Sequence, residues 1–226
     1  MPSTSAILNK ALRKVVLPIL RDGGFEQVDA RNAWSWRKDC ILVLRIEAMG
    51  SYPADITGWP PGSVNVSLGV YYTFMPRRAG QIKLDKNKRL SPAEPDCHLR
   101  ASLNRISVKP RRPRSLINDA ERRRKDIWWM ERDGSNAADV ASDIAAALRK
   151  QGLKWFTAAS DLKSAFRLVE KERDCFVKWA LAAMLAKRNR NKTGWKKYYA
   201  LAAKEAKRID ENPDPSSWYE ISVFPF

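Results

Sequence analysis

A single histidine, His98, serves all 226 residues. Two-histidine metal sites are thereby removed. Cysteine is scarce as well. Cys40, Cys97 and Cys175 are odd in number and far apart, so no disulfide framework is expected, a reducing cytosol fits, and each reads as a small apolar filler. Long apolar runs are missing. The stretch from Met1 to Leu20 is interrupted by Lys10, Arg13 and Lys14, which leaves neither a signal-peptide core nor a membrane span of about 20 apolar residues. The expectation is a cytoplasmic protein without membrane contact, in which the acceptor strings Asn65-Val66-Ser67 and Asn191-Lys192-Thr193 arise by chance. No Gly-x-Gly-x-x-Gly or Gly-x4-Gly-Lys string occurs, so neither phosphate-cradling loop is available.

Positive charge is what the chain has in excess, with a formal net charge of +17. It is unevenly spread. Residues 77–125 hold 16 Lys and Arg against 5 Asp and Glu, residues 187–226 hold 9 against 5, and the remaining segments are close to balance. The basic runs are Pro76-Arg77-Arg78, Lys86-Asn87-Lys88-Arg89, Arg111-Arg112-Pro113-Arg114 and Arg122-Arg123-Arg124-Lys125. The reading is a near-neutral fold carrying a basic ridge, followed by a milder basic pair of helices.

Hydrophobic periodicity gives the fold class. Ile7, Leu8, Ala11, Leu12, Val15, Val16, Ile19 and Leu20 form one helical stripe, capped by Ser3 or Thr4 and ended by Gly23-Gly24, with Pro18 expected to kink or shorten the last turn. From Phe25 the period becomes two. Leu42, Leu44, Ile46 and Ala48 share a face of Cys40–Ala48, and Val64, Val66, Leu68, Val70, Tyr72 and Phe74 do the same. These are half-buried strands of an antiparallel sheet. Trp34 and Trp36 fit one face of a shorter strand, Leu99 to Ile106 a later one, and Ile127 to Met130 the last. The Pro-rich stretch from Ser51 to Gly62 reads as a loop. A helix opened by Ser135 or Asn136 closes at Gly152, a further one starts from Ser160, and another follows a Thr193-Gly194 break. The expected fold is α+β: about five antiparallel strands packed by the opening helix and a later one in residues 1–157, with a helical hairpin in residues 158–226.

The Gly23-Gly24-Phe25 turn, the tryptophan strand, Val64-Asn65-Val66-Ser67-Leu68-Gly69-Val70, Cys97-His98-Leu99-Arg100 and Ile127-Trp128-Trp129 together resemble the bacterial "domain of unknown function 4304" family over about residues 4–157. The resemblance implies a compact α+β fold in a bacterial cytosol and an accessory or immunity-like role. It brings no catalytic residues to carry over. The basic insertion 77–125 and the helical tail depart from the family pattern.

Enzyme chemistry finds little footing. Adjacent residues point to opposite faces of a strand, so Cys97 and His98 cannot act as thiolate and base. Asp55 followed by Gln81-Ile82-Lys83 loosely fits a metal-dependent nuclease, but a divalent cation needs more oxygen ligands than that pair offers. No cofactor is implied. The cationic residues are the candidate binding site: Arg111, Arg112, Arg114, Arg122, Arg123, Arg124, Lys125, Lys192, Lys196 and Lys197. Arg122 to Lys125 also fit a solvated helix whose cations pair with Asp119 and Glu121, whereas Arg111, Arg112 and Arg114 have no nearby acids. Most tryptophans fall at core positions; Trp195 and Tyr198-Tyr199 sit among Lys192, Lys196 and Lys197. The expected function is a non-enzymatic interaction protein that docks an acidic protein through this surface, with sequence-nonspecific nucleic-acid binding as the alternative.

Overall fold

Ser3 caps the opening helix through its side chain, which accepts from the Ala6 amide, and helix α1 runs from Thr4 to Asp22. It passes straight through Pro18. That residue lies on the exposed side of the helix, where water can satisfy the carbonyl that loses its partner, while the buried Leu17, Ile19 and Leu20 hold the last turn in place. The computed structural model describes residues 3–77, 82–107 and 116–211. These residues form two compact units. The first comprises residues 3–36, 42–69, 100–107 and 116–155; the second comprises residues 37–41, 70–77, 82–99 and 156–211.

The strands are β1 (Gln27–Val28), β2 (Asn32–Trp36), β3 (Cys40–Ala48), β4 (Val64–Tyr72), β5 (Lys83–Leu84), β6 (Leu90–Ser91), β7 (Leu99–Ser102) and β8 (Ile127–Trp128). The main sheet has the order β1-β2-β3-β4-β7, with β8 also paired to β4. The α+β class and the antiparallel sheet follow the periodicity. Leu103 donates to the Val66 carbonyl and His98 to that of Val70, a falling register that defines an antiparallel pair. In β2 the polarity of faces is the reverse of the expected one. Ala33 and Ser35 are buried, whereas Trp34 and Trp36 are half-buried. The small Ser35 goes inside because its hydroxyl donates to the Gly24 carbonyl at 2.6 Å.

In the first unit the Ser51–Gly62 stretch is partly helical: α2 spans Ser51–Thr57 and ends on Gly58 at φ 78°. Pro53 in its first turn costs no intrahelical bond, and glycine supplies the left-handed cap. Helices α3 (Asp119–Arg123) and α4 (Ala137–Ala147) follow. The α4 face made by Val140, Ala141, Ile144 and Ala145 is buried and packs on α1. Gly152 does not end this helix. The chain passes through a π-helical turn, Leu148–Gly152, into α5 (Leu153–Ser160). A Cβ at Gly152 would stand 2.9 Å from Leu148 Cδ2 and 3.4 Å from Leu103 Cδ1. The glycine is there for close approach to the sheet, which a reader of sequence takes for a stop signal.

The second unit holds α6 (Leu162–Glu170), α7 (Phe176–Arg188) and α8 (Lys192–Glu211). Asp161, not Ser160, caps α6 by accepting from the Ser164 amide at 2.8 Å. The turn into α8 is Asn189 to Asn191, with Arg190 at φ 56°, and Thr193-Gly194 lie inside the helix. Phe176 and Ala180 of α7 pack on Ala202 and Ile209 of α8, giving the expected hairpin. Cys40 and Cys97 are buried fillers, but Cys175 is exposed at the start of α7. No helix among the described residues is long and apolar enough to cross a membrane.

Candidate functional site

His98 is held as a structural residue. Its Nδ1 accepts from the Tyr72 amide at 3.0 Å, so Nε2 carries the proton and donates to the Pro76 carbonyl at 2.8 Å. Both ring nitrogens are thus engaged with backbone. Cys97 beside it is buried, with its thiol on the Ala93 carbonyl at 3.7 Å. Of the other thiols, Cys40 is pushed up to about 11 by burial and then by Asp39, far from a reactive thiolate. Asp55 lies exposed on α2 and Lys83 exposed on β5, while Gln81 is outside the described residues. Among the described residues no three His, Cys, Asp or Glu side chains gather as a metal ion would need.

A groove of about 560 Å³ in the first unit is lined by Arg105, Trp128, Trp129, Asn136 and Asp143, among others. Its acid is occupied by the fold: Asp143 accepts from Trp128 Nε1 at 2.7 Å and from the Ser107 and Ile106 amides at 3.1 and 3.3 Å. Asn136 is likewise engaged, accepting from the Glu131 amide and donating to the Trp129 carbonyl. These contacts fasten α4 to the neighbouring chain and leave no nucleophile and base side by side.

The basic run at α3 is ordered by its own acids. Asn118 caps the helix, accepting from the Glu121 amide at 2.9 Å. Arg122 stands 3.6 Å from Asp119. Arg124 makes a two-pronged contact with Asp126, through Nε at 3.0 Å and Nη2 at 2.7 Å, and lies 3.6 Å from Glu121. The Asp126 hydrogen bond, outweighing burial, raises the Arg124 guanidinium further above its ordinary value. Burial pushes the Asp126 carboxyl up, but Arg124's bonds and charge prevail and hold it below the usual carboxylate range. Glu121 thus meets Arg124, three residues on, rather than Lys125, four residues on. Glu121 is itself anchored by Trp59, whose Nε1 donates to Oε2 at 2.6 Å. Trp59 is fully buried against Leu116 and Ile127, and sequence gave no hint of it because it lies in the Pro-rich stretch. Arg123 and Lys125 are exposed and make no ion pair with any described residue. Arg111, Arg112 and Arg114 lie outside the described residues.

The lysines of α8 are placed differently. Lys192, Lys196 and Lys197 are exposed, and the first turn of the helix has no acidic residue. None of the three forms an ion pair with a described residue. Lys197 stands over the Tyr198 ring at 4.9 Å. The Asp174 carboxyl is lowered chiefly by its hydrogen bond to Lys178 and by that residue's charge, with a smaller contribution from the charge of Lys197. Tyr198 faces inward, donating to Glu170 at 2.8 Å, and burial followed by that carboxylate pushes its hydroxyl up to about 12. Trp195 and Tyr199 remain on the outer side, with ring centroids 5.8 Å apart.

Comparison with known families supports the resemblance over a shorter span than the expected 4–157, and that span contains residues 77–125, which were expected to depart from the family pattern. Residues 62–158 match the family described as "Domain of unknown function (DUF4304)". The DUF4304 match takes in β4 through β8, the α3 run and α4, and stops before α6. The cationic side of α8 therefore lies outside it. No curated protein and no solved structure matches the chain.

Proposed function

We propose that this is a non-enzymatic interaction protein that engages an acidic partner through exposed cations. One observation carries the reading: Arg123, Lys125, Lys192, Lys196 and Lys197 are exposed and make no ion pair with any described residue, whereas Arg122 and Arg124 each have an acid within 4 Å. A cation held by its own carboxylate contributes to the fold. A cation without one keeps its hydration and its charge available to a partner. The +17 net charge adds long-range attraction toward any acidic surface.

Retention on an immobilised polyanion tests this reading. The protein should be held at 50 mM salt and released as salt screens the contact. Reversal of Arg123, Lys125, Lys192, Lys196 and Lys197 to Glu should abolish retention. Retention unchanged by that reversal, or no retention of the wild type, contradicts it.

A further inference from the structure

Resting on the acidic-partner reading, we infer that the solvent face of α8 is a binding surface for single-stranded nucleic acid. Lys192, Trp195, Lys196 and Tyr199 are spaced i, i+3, i+4 and i+7 along this helix, so they form one stripe. Tyr198, Ala202 and Ile209 are buried on the inner side. The stripe alternates charge and ring: Lys192 and Lys196 are exposed, Tyr199 is 40% exposed, and Trp195 lies half-buried beside it.

Three features select the partner. First, the cations sit in the opening turns of a helix that has no acid there, where the helix dipole disfavours positive charge. A stability requirement would not put them in that place. Second, both cations of the stripe, Lys192 and Lys196, are lysines; Arg190 is exposed in the turn before the helix, and Arg208 further along α8 is bound at 2.6 Å to Glu205. Planar, two-pronged capture of protein carboxylates favours arginine, while lysine serves phosphate as a point charge. Third, the exposed Tyr199 ring beside the half-buried Trp195 offers a stacking platform next to the lysines. A single strand can use it because its base faces are open, whereas a duplex keeps them covered. From Lys192 to Tyr199 the helix advances about 10 Å, which at about 3.4 Å per nucleotide of a stacked strand corresponds to roughly three nucleotides.

The test is fluorescence anisotropy of labelled dT15 with the full chain at 50 mM salt, beside a 15-base-pair duplex and poly-glutamate as competing probes. dT15 should bind tightest, and shortening it should weaken binding only below about three nucleotides. Lys192→Ala with Lys196→Ala should weaken dT15 binding by on the order of tenfold. Tyr199→Ala should weaken it by about tenfold, with Tyr199→Phe retaining it and poly-glutamate binding unmoved by either. These are surface positions, so an unchanged circular dichroism spectrum separates lost contact from lost fold. Wild-type dT15 affinity in the lysine or Tyr199→Ala variant overturns the inference. Duplex or poly-glutamate bound better than dT15 also overturns it, yet leaves the acidic-partner reading standing. If none of the three polyanions binds at 50 mM salt, both fall.

Discussion

The cationic run at α3 and the lysines of α8 look alike as strings of letters, and their surroundings set them apart. At α3, Arg124 is clamped by Asp126 and Glu121, and Glu121 in turn is fixed by the buried indole of Trp59. At α8, Lys192 and Lys196 stand exposed in turns without an acid. Charge spent on an internal carboxylate belongs to the stability of the fold; charge left unmatched against the helix dipole is a cost that a partner can relieve. Net charge alone does not distinguish these two cases.

Substitutions should separate the regions by what they damage. Trp59→Ala removes a fully buried ring and the anchor of Glu121, and should cost about 3–5 kcal/mol in denaturant unfolding. A loss under about 1 kcal/mol would mean that α3 is not fastened through this residue. Arg124→Ala should cost about 1–2 kcal/mol, because two partly shielded carboxylates lose their donor. Binding of dT15 should change far less than in the Lys192 and Lys196 variants.

A pH series sharpens the contrast. The folded Asp126 carboxyl lies below its ordinary value, so the stability it contributes is fully present above about pH 4 and is lost as pH falls through the lower, folded value. The stability difference between wild type and Asp126→Asn should therefore narrow on going from pH 5 toward pH 3. A constant difference contradicts the clamp. The smallest effect has the opposite sign: Lys192→Glu should raise stability by about 0.3–1 kcal/mol, because an anion suits the start of α8, even as it weakens polyanion binding. Lower stability in that variant would show that Lys192 is held by the fold after all.

Much of the scaffold was legible in the letters. The pairs of apolar residues from Ile7 to Leu20 specified α1, and alternation placed β3 and β4, although these strands are not half-buried throughout: residues 40–44 of β3 and 68–72 of β4 are buried on both faces. Errors arose where distant packing overrode a local sign. Gly152 reads as a helix end but makes room for Leu148 and Leu103. Trp34 and Trp36 read as core, while the Ser35 hydroxyl bound to Gly24 turns the other face inward. The cationic residues were visible as runs, but which of them are matched was not. Helical spacing directs attention to partners three or four residues back, whereas α3 ends at Arg123 and lets Arg124 reach forward two residues to Asp126. The acid-free opening of α8 was present in the sequence, although its weight came only once Lys192 was placed in the first turn.

The salt dependence of dT15 binding measures the division most directly, since each single-strand phosphate contact contributes about 0.7 to the slope of log affinity against log salt. Replacing Lys196 by Ala should reduce that slope by about 0.7, and replacing Arg124 by Ala should leave it unchanged. An unaltered slope without Lys196, or a reduced one without Arg124, would contradict the claim that unmatched lysines bind and matched arginines hold the fold.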